Sequence, residues 1–415
     1  MPSRRCGSPR RPTTRTGTSS SRCASERQGA VYLEELRLRA FRNYADLTAR
    51  FPAGVVLLIG PNAAGKTNLL EAVHVLCTGT SQRGARDADM AAWDGGGGYA
   101  VWGSLRRDGY SVELAVRYDP GEGKRVTVMG SPVQRRADLL EHAAAVAFAP
   151  DDLRLVKGEP GYRRRYADRL AALGDRRHAA DLAALRGALE QRNHLLRDVR
   201  ARRSGRALAG LFDEPFLEAA SRVTARRVAA LERALPAAAE ALARLTAGRE
   251  RLTAVYLENG RHPHPLAPAA PEARDPAFWR ERGRAALQEQ AREEMERGVT
   301  LWGPHRDDVA LLVDGRDSRV HASQGQQRSV VLALKQAELA AAAEAVGTAP
   351  LLLLDDVLSE LDPTRSAALL ELAQGAGQAL VTAAVEDAGD LGPWRRAAAA
   401  VFAVAGGRLG EVTVP

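Results

Sequence analysis

Val55-Val56-Leu57-Leu58-Ile59-Gly60-Pro61-Asn62-Ala63-Ala64-Gly65-Lys66-Thr67-Asn68-Leu69-Leu70 is the stretch whose reading decides the fold. It opens on a continuous apolar run rich in β-branched residues, the pattern of a strand buried on both faces. From Lys66 to Leu76 the apolar residues Leu69, Leu70, Val73 and Leu76 recur at helical spacing, which gives a helix one apolar face. Between strand and helix, Gly60 to Thr67 matches G-x-x-x-x-G-K-[ST], with Pro61, Asn62, Ala63 and Ala64 filling the variable positions. Backbone amides can converge on phosphate oxygens only where side chains are small or absent, as at Gly60 and Gly65. The loop feeds a helix start whose dipole favours anions. Lys66 is a compact charge suited to the β- and γ-phosphates, and the Thr67 hydroxyl suits Mg²⁺. The chain has four lysines (66, 124, 157 and 335) against 55 arginines, so a lysine in this slot is informative.

A second constellation lies near the far end. Leu351-Leu352-Leu353-Leu354 reads as a buried strand, and Asp355-Asp356 at its end places two carboxylates at a sheet edge. An unpaired buried carboxylate is costly. A Mg²⁺–phosphate partner accounts for both, with Asp355 holding the ion opposite Thr67 and Asp356 polarising an attacking water. Helix capping is the competing use of these residues. A third piece, Ala322-Ser323-Gln324-Gly325-Gln326-Gln327-Arg328, opens a helix upstream of that strand. It resembles the ABC signature, S-G-G-Q in transporters and S-x-G-Q in SMC-type repair ATPases. Ser323 and Gly325 at a helix start make a second anion site; a plain cap by Ser323, worth about 1 kcal/mol, is the alternative. Ser359-Glu360-Leu361-Asp362 then resembles the D-loop of the same superfamily. Thr382, after the strand at 378–381, stands where many ABC proteins carry a switch histidine.

Working outward, the segment 31–161 reads as strand-rich: two strands between Tyr32 and Phe51, a meander at 99–105, 110–118 and 125–129, and the phosphate-loop helix. From 162 to 298 the chain turns to Ala, Leu, Arg and Glu at helical spacing, with helices expected at 162–173, 178–200, 213–247 and 276–298 and a Pro- and His-rich loop at 260–276. Heptads do not persist, so this is a compact helical arm and not a long coiled coil. Sheet character returns at 311–313, followed by a helix at 324–346, a strand at 350–354, a helix at 363–374 and a strand at 378–383. The expected fold is α/β: a head with a mixed sheet, contributed by 31–161 and 299–415 and split by a helical insertion at 162–298. Residues 1–30 hold seven arginines against one glutamate, few aliphatics and no apolar signal core. Such a segment cannot bury enough surface to order itself; it reads as a disordered basic tail or a start placed too early, with a DNA-contacting arm as the alternative.

That tail carries most of the net charge of +8, which leaves +2 for the remaining 385 residues. Overall charge therefore says little about nucleic acid, and a local patch would have to do the binding. The three cysteines, 6, 23 and 77, form no C-x-x-C pair, which fits a reducing cytosol and excludes a cysteine zinc site. No apolar run is long enough to span a membrane.

Several local strings, in order and spacing, are similar to the RecF family of SMC/ABC-type ATPases from about residue 31 onward. They are Phe41-Arg42-Asn43-Tyr44, Lys66 to Ala72, Pro150 to Leu153, Leu155 to Gly158, Arg163-Arg164-Arg165 and Gln191-Arg192-Asn193. Further on come Gly303-Pro304-His305-Arg306-Asp307-Asp308, Ser323 to Arg328 and Asp355 to Asp362. The family usually writes Asn-Gly-x-Gly where this chain has Asn62-Ala63-Ala64-Gly65. The resemblance implies binding of ATP with Mg²⁺, slow DNA-dependent hydrolysis and a homodimer with nucleotides sandwiched between two heads. There Gly60 to Thr67, Asp355 and Asp356 act in cis, while Ser323, Gly325 and Gln326 act in trans. It further implies binding to duplex or gapped DNA, partnership with RecR and RecO in loading RecA, and service to repair, replication and SOS induction in the cytoplasm, near the nucleoid. By the same resemblance Arg42, Asn43 and Tyr44 approach the base or ribose, and 149–152 takes the place of the Q-loop. For DNA contact, Arg163, Arg164, Arg165, Arg202 and Arg203 are candidates, against a merely solvated face. The turn 305–308 is either DNA- or head-facing or an internal ion-pair network. Among rivals, a transporter ATPase conflicts with the 258 residues between Gly65 and Ser323. A long coiled-coil repair ATPase conflicts with the short arm, and a non-hydrolysing nucleotide-gated scaffold differs only in the use of Asp356.

Overall fold

The computed structural model describes residues 31–412 apart from 93–95, 108, 134–135, 204, 206–207, 267–269 and 385–390, so the expectation for residues 1–30 lies outside the described residues. The chain begins with β1 (Tyr32–Phe41) and β2 (Tyr44–Arg50), whose period-two pattern buries Leu36 and Leu38 while Arg37 and Arg39 face water. β3 (Gly54–Gly60) leads through the glycine loop into α1 (Lys66–Thr78); a short α2 (Asp87–Met90) follows. The meander is β4 (Tyr99–Arg107), β5 (Tyr110–Asp119), β6 (Gly123–Val128) and β7 (Ser131–Pro132), and β8 (Ala145–Phe148) ends this part. The helical region comprises α3 (Arg154–Lys157), α4 (Pro160–Gly174), α5 (His178–Arg200), α6 (Asp213–Leu245) and α7 (Pro276–Arg297), with β9 (Leu252–Glu258) and β10 (His262–Pro265) between the last two. Then come β11 (Asp308–Val313), β12 (Arg316–Asp317), α8 (Ser318–His321), α9 (Gln324–Val346), β13 (Leu351–Leu354), α10 (Pro363–Gly375), β14 (Gln378–Ala384), α11 (Gly392–Ala397), β15 (Ala398–Ala405) and β16 (Arg408–Val412).

Three sheets result. An antiparallel sheet runs β2-β1-β4-β5-β6-β7, and a mixed one runs β16-β15-β3-β14-β13-β8, in which only β16 is antiparallel to its neighbour. Helix α1 is packed between these two, its Leu69, Leu70, Val73 and Leu76 fully buried in a core shared by both sheets. The other face of the mixed sheet is covered by α9 and α10. The architecture is thus the α/β head with a helical insertion. Consecutive strands of one edge come from opposite ends of the chain, which is what brings Thr67 and Asp355 together.

The insertion is less purely helical than its composition suggests. Leu252–Glu258, alternately buried and half-buried, is a strand, and β10 occupies part of the stretch expected to be loop. Together they form the third sheet, β10-β9-β11-β12, pairing the insertion with 308–317. One core joins α4, α6, α9 and this sheet through Tyr166, Val228, Leu242, Tyr256, Val309 and Leu334. Five further strands, β7, β8, β12, β15 and β16, were not foreseen either. β15 is mostly alanine and would favour a helix on propensity; pairing with β3 along one edge and β16 along the other overrides it.

Buried polar groups hold the insertion rigid. Glu258 accepts from Trp302 Nε1 at 2.8 Å and from Arg282 at 2.6 Å, and its Oε2 lies 3.1 Å from His264 Nε2. Burial pushes the Glu258 carboxyl up, but the hydrogen bonds from His264, Arg282 and Trp302 outweigh it and hold the carboxyl down at about 2, against an ordinary 4.5. A carboxylate depressed in the fold contributes stability that is complete above its unfolded pKa and is lost as pH falls through the folded one. The expected window of loss is therefore pH 4.5 down to about 2. Glu258→Gln is expected to cost up to about 3 kcal/mol at neutral pH and to flatten the acid limb, read by denaturant titration at several pH values. An acid limb of unchanged steepness would contradict the assignment.

Candidate nucleotide site

β3 delivers Gly60 against β15, where a Cβ would strike the Val404 carbonyl. The loop then turns through Ala63 at φ +63° and Gly65 at φ +110°. Gly65 has no room for a side chain, because a Cβ there would meet the Asn43 amide and the Tyr44 hydroxyl. Those two residues brace the loop from outside: Tyr44 Oη donates to Gly65 O at 3.0 Å and Asn43 Nδ2 to Ala64 O at 3.3 Å. Helix α1 starts at Lys66 with no side-chain cap on its first amides. Uncapped amides at a helix start, with the dipole behind them, form an anion site. Lys66 is buried beside them, its Nζ donating to Gly60 O at 2.7 Å and Pro61 O at 3.1 Å.

The acidic side meets this loop directly. Thr67 Oγ1 donates to Asp355 Oδ1 at 2.8 Å, and Thr382 Oγ1, from β14, donates to the same oxygen at 3.1 Å. The Asp355 amide donates to Phe148 O at 2.8 Å, which ties β13 to the end of β8. The Asp356 amide donates to Thr382 Oγ1 at 2.8 Å. Asp356 sits at φ +54°, and its Oδ1 is buried without a hydrogen-bond partner. Burial raises the Asp355 carboxyl; the Thr67 and Thr382 hydroxyls pull it down, the Asp356 carboxylate pushes it up, and Arg83 opposes that.

Ser323 and Gln326 are placed elsewhere, at the start of α9. Gln326 N donates to Ser323 Oγ at 3.2 Å, and Ser323 N donates to Gln326 Oε1 at 2.8 Å, so the pair forms a reciprocal capping box. Ser323 is exposed, and its hydroxyl proton, not used in that box, is free to donate outward. Gly325 packs under Arg365, whose Nε donates to Ser329 Oγ at 2.9 Å and which also pairs with Asp362, the cap of α10. Among the described residues no hydrogen bond joins the Ser323 helix start to the 60–67 loop.

Proteins of known sequence and structure resemble this chain. A family model described as "AAA domain" matches residues 35–127. The DNA replication and repair protein RecF of Moorella thermoacetica is 39% identical over 353 residues, covering 85% of this chain and 90% of that one. The chain belongs to the RecF family. RecF of Symbiobacterium thermophilum is 40% identical over 352 residues, covering 85% and 91%. Among solved structures, the recombination mediator protein RecF with ATPrS matches with a TM-score of 0.82 at 31% identity, over 93% of this chain and 99% of that one. RecF with ATP matches at 0.81 and 30%, over 94% and 100%.

Against this RecF fold, some residues quoted from the sequence take unexpected places. Arg42 donates to both oxygens of Glu71, at 2.9 and 3.0 Å, and Glu71 also accepts from Ser81 at 2.5 Å. Arg42 is thereby engaged under the loop, where the resemblance had placed it near the base or ribose. Arg163, a DNA-contact candidate, is buried; it forks onto Asp308 at 2.7 and 2.9 Å, so it is scaffold. Arg164 donates to Asp307 O at 2.8 Å, while Arg165, Arg202 and Arg203 are exposed. The 305–308 turn is the internal network: Asp307 accepts from Tyr256 at 2.6 Å and from the Asn259 amide at 2.8 Å. Glu71 and Arg83 were missed. Glu71 was findable as a carboxylate on an otherwise apolar helix face; nothing local marks Arg83.

Two substitutions check this geometry. An alanine at positive φ carries about 1 kcal/mol of strain that glycine lacks, so Ala63→Gly is expected to raise the unfolding free energy by up to that amount. Thr382→Val is expected to lower it by about 1–3 kcal/mol, since the buried Asp356 amide loses its acceptor. Equilibrium unfolding in denaturant reads both; a neutral Thr382→Val would show that another group takes up that amide.

Proposed function

We propose that this chain is an ATP-dependent DNA-binding protein of recombinational repair, in which two copies close on two nucleotides. The observation that carries the reading is the 2.8 Å contact between Thr67 and Asp355 beside an uncapped helix start. ATP phosphates would lie on the amides of 60–67, with Lys66 turning from the Gly60 and Pro61 carbonyls toward the β- and γ-phosphates. The residues fit Mg²⁺. Thr67 and Asp355 supply two adjacent oxygens and, among the described residues, no cluster of three or more His, Cys, Asp or Glu forms a cage. Mg²⁺ characteristically takes one or two protein oxygens and completes its shell with phosphate and water. Thr67 and Asp355 would hold it, and it would supply charge neutralisation on the phosphates.

Asp356 is the residue to orient and polarise the attacking water, since its buried Oδ1 has no other partner. Ser323, with Gly325 and Gln326, presents a preset hydroxyl donor and a helix start to the γ-phosphate held by the second copy. Thr382 stands at the switch position, bridging the Asp355 carboxylate and the Asp356 amide. Hydrolysis would be slow and would release the pair. Duplex or gapped DNA would be held by backbone contacts from exposed arginines such as Arg165, Arg202 and Arg203, with RecO, RecR and RecA as partners in a cytoplasmic, nucleoid-associated pathway.

Lys66→Ala is expected to abolish ATP-driven dimerisation in light scattering. Asp356→Asn is expected to bind ATP and dimerise while single-turnover hydrolysis falls by about 10²-fold or more. Normal dimerisation of Lys66→Ala would refute the sandwich; unchanged hydrolysis by Asp356→Asn would leave the general base elsewhere. DNA affinity is expected to fall steeply with salt.

A further inference from the structure

Four charged side chains meet around α9, two of them buried, Asp152 half-buried and Arg169 reaching in from the surface. Lys335 and Glu338 lie one turn apart on α9, both buried, with Lys335 Nζ 3.0 Å from Glu338 Oε2. Lys335 Nζ also lies 3.7 Å from Asp152 Oδ1 and 5.6 Å from the centre of the Phe148 ring. From the other side Arg169 of α4 donates to Glu338 at 2.8 and 3.4 Å. Burial pushes the Glu338 carboxyl up, but Arg169 and Lys335 outweigh it and hold it at about 2. Two cations face two anions, so the charges balance.

Such a cluster is a poor way to stabilise a core. Desolvation consumes most of the Coulomb gain, and apolar residues of the same size often serve as well or better. A charge network does, however, fix geometry, since its partners cannot slide as apolar surfaces can. The choice of lysine is also pointed, because this chain writes arginine 55 times and lysine four times.

The groups that Lys335 touches lead straight to the nucleotide site. Phe148 closes β8, and its carbonyl accepts the Asp355 amide at 2.8 Å. Asp152 belongs to the turn that follows, where its other oxygen accepts the Ala149 amide at 2.8 Å. A second route leaves Asp356: Ser359 Oγ donates to its carbonyl at 3.1 Å, and from the same segment Arg365 reaches Ser329 of α9 at 2.9 Å. Helix α9, packed on α6 and on the mixed sheet, thus has two further polar ties, each traceable to the backbone of one of the adjacent aspartates, and Ser323 caps its start.

We propose that Lys335 is a positioning residue that ties α9 to the strand end carrying Asp355, and so sets where one copy presents Ser323 to the nucleotide of its twin. The tie rests on the sandwich reading above. Without it α9 keeps the Arg365–Ser329 contact as a pivot, and Ser323 lies six residues beyond, roughly 9 Å along a helix. A tilt of about 6° then moves Ser323 by about 1 Å, and errors of that size are enough to spoil transition-state contacts.

The test compares Lys335→Met, Lys335→Arg and the charge-balanced double variant Lys335→Met/Glu338→Gln with the unaltered chain. Readouts are binding of a fluorescent ATP analogue at low protein concentration, ATP-driven dimerisation by light scattering, and hydrolysis as a function of protein concentration. Lys335→Met is expected to bind the analogue within about twofold of the parent. Its dimerisation midpoint is expected to shift on the order of tenfold to higher protein concentration, a typical coupling magnitude, with the hydrolysis plateau recovering there. Lys335→Arg is expected to restore most of the shift. The double variant is expected to regain thermal stability without regaining dimerisation. Parent-like dimerisation of Lys335→Met, or of the double variant, overturns the tie alone. Loss of fold in both variants makes the cluster simple support and overturns it as well. An unaltered chain that stays monomeric with ATP overturns the sandwich, and the tie with it.

Discussion

The carboxylate of Asp355 joins two parts of the chain that lie 288 residues apart, and the rest of the molecule is arranged so that this can happen. Its Oδ1 receives hydroxyls from the phosphate-loop helix and from β14, and its amide anchors β8. The mixed sheet is the device that aligns them. β3, β14 and β13 run parallel in sequence-distant order, so their ends, each carrying one part of the site, fall on a single edge. Ligands on open α/β sheets characteristically sit at such carboxyl ends.

The two helix starts contrast usefully. At α1 the first amides have no side-chain cap, and the loop before them is strained at Ala63 and supported by Tyr44 and Asn43. At α9 the chain's own Ser323 caps the Gln326 amide, and Gln326 takes the Ser323 amide in return. The first is built around an anion. The second is partly capped in an isolated copy and keeps a hydroxyl proton to offer outward. A cap and a signature are therefore not exclusive readings of Ser323; the same oxygen that accepts an amide can still donate.

Much of this was legible in the sequence. Helices α5 and α9 occupy the expected residues, the phosphate loop and the acidic strand end meet, and Thr382 touches the Asp355 carboxylate and the Asp356 amide. These succeed because glycine, proline, lysine and apolar periodicity report local constraints. What failed depends on partners distant in sequence. β15 is written mostly in alanine and becomes a strand because β3 and β16 offer it edges. β9 lies within a stretch of helical composition and pairs with β11. Arg163 reads as a DNA-contacting cation and Arg42 as a residue near the base or ribose, and only the fold reveals Asp308 and Glu71 opposite them. An arginine-rich composition hides which guanidinium groups are structural.

The pairing of β9 with β11 makes the insertion hard to remove. A modular insertion can be excised by joining its two stems, but here the excised piece would take two strands of a sheet, β9 and β10, and leave β11 and β12 behind. β11 would then expose an unpaired edge, and α9 would lose the α6 surface it packs on. Raw edges of this sort template association between chains. Shortened versions of this protein, natural or engineered, are therefore constrained to spare the root of the insertion, where β9 meets β11.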